Sequence, residues 1–208
     1  MMPVNYLDEG CYHCQMETPS TERARFHRAT DATAQDWLII ERAEAEWRRT
    51  RGAAQGLLSL LASIEHADNL GAPVNLYTHS LQAAARARSD GADDELVVVA
   101  LFHDLPEAIT DNDHGRVAAS LLAPHLSERR TWLLIHHAAF QDFYFANHPT
   151  RNRAARDRHR GHPHYEETDH FCRCYDQNSF DPEFAIPPLA TFAPIVRRFF
   201  GQAPLRSP

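Results

Sequence analysis

Six residues of this chain have types and spacing that can do metal chemistry: His79, His103, Asp104, His114, His137 and Asp176. Read in order they form the pattern H…HD…H…H…D. Imidazoles and carboxylates supplied in that order can hold two metal ions side by side, with one carboxylate shared. A mononuclear site needs only His79, His103, Asp104 and Asp176; the further histidines 114 and 137 point to a second ion. An N/O donor set without thiolate favours Fe, Mn, Co or Zn over copper(I). His136 competes with His137 for the fourth imidazole, since the two are adjacent.

These residues need helices to carry them. Thr30 or Asp31 can cap a helix running through Arg49, with Trp37, Ile40, Ala43 and Trp47 on one face expected to be buried. Further helices are expected over about 53–66, 78–88, 92 to just past 104, 113–123, 127–145, 166–178 and 187–200. The run Leu96–Phe102 is apolar all round, so its helix is buried. Asp104 at its end costs several kcal/mol unless paired or metal-bound. On a continuous helix His103 and Asp104 diverge by ~100°, which suits one terminal and one bridging ligand. Pro106 stops or kinks the helix just beyond them. Residues 1–29 read as an irregular arm, 30–208 as the metal-binding helical domain, and 147–165 as a surface loop with room for one short helix. With no alternating strand pattern, the chain reads as all-α.

Composition narrows the function. The 208 residues carry a net charge of −7, and all 21 basic residues are arginine, so no basic footprint for nucleic acid is present. No apolar run reaches membrane-spanning length and no signal region follows Met1, so a soluble, cytoplasmic protein is expected. The pairs Cys11/Cys14 and Cys172/Cys174 could form a tetrahedral zinc site, but one residue between the latter two is poor spacing, and free thiols are expected.

The chain resembles the HD-domain superfamily over about residues 30–200, expected as a single helical bundle. More narrowly it is similar to the myo-inositol oxygenase branch and its phosphonate-cleaving dioxygenase relative. The matching pieces are Asn75–Gln82, Ala100-Leu101-Phe102-His103-Asp104, Asn112-Asp113-His114, Ile135-His136-His137 and Phe171–Asp176. The last is the most discriminating, because an aromatic residue directly precedes the ligand Asp, where HD phosphohydrolases more often have a small one. The resemblance selects His137 over His136. It places Gln141 where the phosphonate enzyme has a substrate-binding lysine, and Arg173 where that enzyme has a substrate-binding arginine. Three departures stand out. Glu107 replaces the lysine of inositol oxygenase, Pro106 the usual glycine, and the spacing from His103 to His114 is shorter than in those two enzymes, so neither inositol nor that phosphonate is the expected substrate.

The resemblance implies a mixed-valent Fe(II)/Fe(III) pair and O2 as co-substrate, acting on a small hydroxylated or amino-alcohol molecule. Asp104 would be the bridging ligand, and Glu107, Gln141 and Arg173 would bind substrate. The alternative is a phosphohydrolase of nucleotides or phosphate esters using Mn, Co or Zn. In that reading Glu107 is a catalytic acid or base, and Arg116 or Arg173 holds phosphate oxygens. A silent metal-binding scaffold is a third possibility, which the six intact positions argue against.

Overall fold

A computed structural model describes residues 22–50, 52–110, 112–202 and 205. It contains eight α-helices and no strand among the described residues, so the chain is all-α. By compactness the chain divides into Met1–Gly52 and Ala53–Pro208.

The first unit carries helix α1 (Ala34–Thr50). Its cap is Thr33, not Thr30 or Asp31, which lie in a short 3₁₀ turn. Thr33 Oγ1 accepts from the Asp36 amide at 3.2 Å, while Asp36 Oδ2 accepts from the Thr33 amide at 2.9 Å. Two donors at the helix start are thereby satisfied reciprocally. The face expected to be buried is not: Trp37 and Trp47 are 44% and 51% exposed. Trp37 has Phe26 beside it, ring centroids 5.7 Å apart, but residues 22–50 hold too few apolar side chains to enclose either indole. Cys11 and Cys14 lie outside the described residues.

The second unit comprises α2 (Gly52–Ser63, from its second residue), α3 (Leu76–Ser89), α4 (Asp94–Phe102), α5 (His114–Leu122), α6 (Glu128–Gln141), α7 (Tyr165–Phe171) and α8 (Ala193–Gly201). Helix α4 is its axis. All of Leu96–Phe102 is buried, and α4 packs against α3, α6 and α8. A helix apolar on every side has no stable place except between others.

Polar side chains fix where these helices begin. Asn75 Oδ1 accepts from the Thr78 amide at 2.9 Å, capping α3, while its amide donates to the carbonyls of Glu65 and Ala67 just past α2. Asp93 caps α4 through the Leu96 amide. Ser127 starts α6, and Glu95 of α4 accepts from both its amide and its hydroxyl. Arg130, buried, reaches Asp93 at 3.2 Å and Glu167 at 2.6 Å, joining the ends of α4, α6 and α7.

Two backbone departures shape the region around the six residues. After Phe102, His103 keeps helical angles but Asp104 does not (φ −103°, ψ −1°), and Leu105–Ala108 continue as a 3₁₀ turn containing Pro106. The pair therefore does not share the continuous helix expected from the sequence. After α7 the chain widens into a π-helical turn, Cys172–Asp176, in which the Gln177 amide donates to the Cys172 carbonyl. Such single π-turns recur at functional sites. The stretch 147–165 is irregular, with one 3₁₀ turn at Ala155–His159.

Candidate metal centre

The structure brings all six residues together. His79 comes from the first turn of α3, His103 and Asp104 from just beyond the end of α4, and His114 from the start of α5. His137 comes from the last turn of α6, and Asp176 from the π-turn. They form two groups. The donor atoms of His79, His103, Asp104 and Asp176 lie within 4.8 Å of one another, and so do those of Asp104, His114 and His137.

Asp104 belongs to both groups, one oxygen to each. Its Oδ2 stands 3.2 Å from the Nε2 atoms of His79 and His103. Its Oδ1 stands 3.0 Å from Nε2 of His137 and 3.3 Å from Nε2 of His114. Asp176 Oδ1 completes the inner group, 3.5 Å from His79 and 3.7 Å from His103. His137 is the imidazole selected. His136 turns the other way, 4.5 Å between centroids from both Trp132 and His159. Burial, then His159 and nearby arginines, push the His136 pKa down to about 4.

These residues fit metal ions for a reason visible in the ring nitrogens. Nδ1 of His79 lies 3.0 Å from the Ser179 carbonyl, Nδ1 of His103 2.9 Å from Ala100 O, and Nδ1 of His137 2.7 Å from Leu134 O. A carbonyl only accepts, so each Nδ1 carries the proton and each Nε2 of a neutral ring presents a lone pair. Yet the lone pairs of His79 and His103 face one another at 3.2 Å, and that of His137 faces Asp104 Oδ1 at 3.0 Å. Acceptors crowded this way repel unless a cation sits among them. Asp176 Oδ2, buried and without a hydrogen-bond partner, has the same need.

The electrostatics agree. Burial opposes a charge on His103, but Asp104 and then Asp176 outweigh it and hold its pKa well above the imidazole range. For His114, burial is again outweighed, by Asp104 and then Glu107, and the pKa is raised. Asp104 is held well below the carboxylate range, because His103, His114 and His137 overcome its burial. Without a metal the cluster recruits protons as its positive charge; a metal would displace them.

Close approach of α5 and α6 brings His114 to His137. Gly115 packs so tightly on α6 that a Cβ there would run into the Leu134 carbonyl oxygen. Phe180 lies against the His79 ring, centroids 4.7 Å apart.

A cavity of about 570 Å³ opens onto His79, Asp104, His114 and His137, but not onto His103 or Asp176. The inner group offers four donor side chains, two of them away from the cavity; the outer offers three, all of which line it. Glu107 lines this cavity too, with Oε1 3.3 Å from Nδ1 of His114. Burial and then the neighbouring Asp104 raise the Glu107 pKa. Gln141 also lines the cavity, but its amide nitrogen donates to Asp176 Oδ1 at 2.8 Å, so the residue orients a ligand as well.

Arg173 is not brought to the cavity. It is exposed and lies 3.6 Å from Asp169. The π-turn is the physical cause: its wider turn moves a residue three positions before Asp176 off the face that Asp176 occupies. Arg116 is likewise outside, exposed and paired with Asp113 at 2.8 Å. Cys172 and Cys174 are free; Cys172 is buried, and burial, then Asp176, push its thiol well up.

Sequence reasoning missed Gly115, the Ser179 carbonyl and the second duty of Gln141. Gly115 alone had a signal, a glycine directly after a candidate ligand at a helix start. No helix among the described residues is long and apolar enough to cross a membrane. No protein-family model matches the chain, and no curated protein sequence matches it.

Proposed function

We propose that this chain is an O2-dependent oxygenase with a dinuclear non-haem iron centre, acting on a small hydroxylated or amino-alcohol substrate. The observation that carries the reading is Asp104, whose two oxygens each face a different pair of imidazoles. A carboxylate so placed serves two ions at once and lowers the repulsion between them.

His79, His103, Asp104 and Asp176 would hold the inner ion; Asp104, His114 and His137 would hold the outer. An iron pair so held would supply the one-electron steps and O2 chemistry that amino-acid side chains lack. The chain's own share is positioning. Three main-chain carbonyls fix the tautomers of His79, His103 and His137, Gln141 orients Asp176, and the three-ligand position faces the cavity where substrate enters. The resemblance to the inositol oxygenase branch supports iron, through Tyr175 directly before Asp176.

The phosphohydrolase reading is weaker for a specific reason. Arg116 and Arg173, the arginines expected to hold phosphate, stand outside the cavity. Arg151, which lines it, lies 3.4 Å from Asp142. Among the described residues the cavity thus offers phosphate no unpaired arginine.

Anaerobic purification, metal analysis and electron spin resonance test the proposal. Two irons per chain, a mixed-valent signal and substrate-dependent O2 uptake are expected. Zinc or manganese with phosphate release from a nucleotide panel and no O2 uptake would replace it with the hydrolase.

A further inference from the structure

Among the charged groups that line the cavity beside the metal-ligand candidates, carboxylates outnumber cations three to one. Gln141 is the most informative of the uncharged residues there. Its Nε2 donates to the Asp176 carboxylate, which can only accept, so the amide cannot be turned the other way. That leaves Oε1 as a buried acceptor without a partner, on a residue 7% exposed that lines the cavity. A buried acceptor left without a donor costs on the order of 1–3 kcal/mol, so a bound molecule that supplies the donor recovers that cost.

Charge points the same way. Four charged residues other than the metal ligands line the cavity: Asp68, Glu107, Asp142 and Arg151. Arg151 lies 3.4 Å from Asp142, which leaves Glu107 and Asp68 without an arginine; Glu107 has only the His114 ring beside it, Oε1 3.3 Å from Nδ1, and Asp68 accepts from the Leu70 amide. Beside Asn69 and Asn75 the rest of the wall is apolar, with Val74, Leu76, Phe145 and Phe180 among its residues. Leu70, at the rim, is 91% exposed and held at φ 50°, a conformation that costs a non-glycine residue on the order of 1 kcal/mol. Its side chain is unsupported by the protein and free to cover an apolar ligand.

We infer that the cavity's substrate is a protonated primary amine carrying an adjacent hydroxyl and an apolar chain, and that it bears no phosphate, phosphonate or carboxylate. Its ammonium group donates to Gln141 Oε1 and pairs with Glu107, its hydroxyl reaches the outer metal position, and its chain lies on the apolar wall. The inference rests on the dinuclear reading above and adds to it the charge and shape of the substrate.

The test is calorimetric titration of the metal-loaded protein under anaerobic conditions, with metal content measured on the same sample. The probes are 2-amino-1-hexanol, 1,2-hexanediol, which lacks the ammonium, and 2-aminoethyl phosphate, which lacks the chain and the free hydroxyl and carries the anion. The amino alcohol should bind at least tenfold more tightly than either of the others. Glu107→Gln should weaken the amino alcohol about tenfold relative to the diol, compared on samples matched for metal content. Equal binding of diol and amino alcohol, or tighter binding of the phosphate compound, with two metals present, overturns the substrate class and leaves the dinuclear reading standing. Fewer than two metals per chain overturns both. If a variant loses metal, the wild-type ranking of the three probes still decides.

Discussion

Gly115 and Leu134 meet backbone against backbone, and that contact sets the distance between the two outer-group imidazoles. A methyl group on Gly115 has no room beside the Leu134 carbonyl oxygen. Gly115→Ala must push α5 off α6, and with it His114 away from His137. Overpacking of this kind costs about 1–3 kcal/mol, and metal content should fall towards one ion per chain. A variant with two metals and unchanged melting would show that the helices part without disturbing the site.

His114 has no place in a mononuclear centre. His114→Ala should leave the inner group intact, so one ion should remain while turnover disappears. Metal analysis beside an activity assay checks this; two retained ions with full activity would refute the dinuclear assignment.

Asp104 should be the most sensitive position. Asp104→Asn removes a charge that serves both groups, and both ions should be lost. Because bound metal stabilises the folded state by mass action, the melting temperature in excess metal should drop towards that of the stripped protein. Metal content and melting equal to the parent chain would reduce Asp104 to a buried hydrogen-bonding residue.

Acidification should strip the metals early. The pKa values of His103 and His114 are raised, chiefly because Asp104 outweighs burial, so protons hold these rings to higher pH than they hold an ordinary imidazole near 6.5. Metal must displace those protons, so affinity weakens as pH falls through the raised values. Loss of metal on a pH titration should therefore begin above about pH 6.5. Full retention down to about pH 5 would mean the protons never compete.

The parts of the site legible in the sequence are those with a local physical signature. Leu96–Phe102 followed by His103-Asp104 is legible because charge at the end of an all-apolar helix needs a partner, and the four histidines are legible from type and order. Three features depend on distant backbone and were not. The π-turn that carries Asp176 also turns Arg173 outward, and neither follows from the residue types of Cys172–Asp176. Asp104 leaves helical geometry at the 3₁₀ turn rather than continuing at helical spacing. Gln141 has its amide end fixed by Asp176, 35 residues away. Helix α1 misled for the opposite reason: its periodicity is real, but periodicity does not say whether enough apolar surface is nearby to cover Trp37 and Trp47.

Burial of His103 and Asp176 away from the cavity would have a consequence for how the centre fills and empties. An ion in the inner position would keep two side chains that the cavity does not reach, whereas every side chain around an outer ion lines it. A chelator working from the cavity would therefore clear the outer berth before the deep one. Partial stripping should thus yield chains with an intact inner ion rather than a random mixture, a ready source of the half-filled protein for spectroscopy.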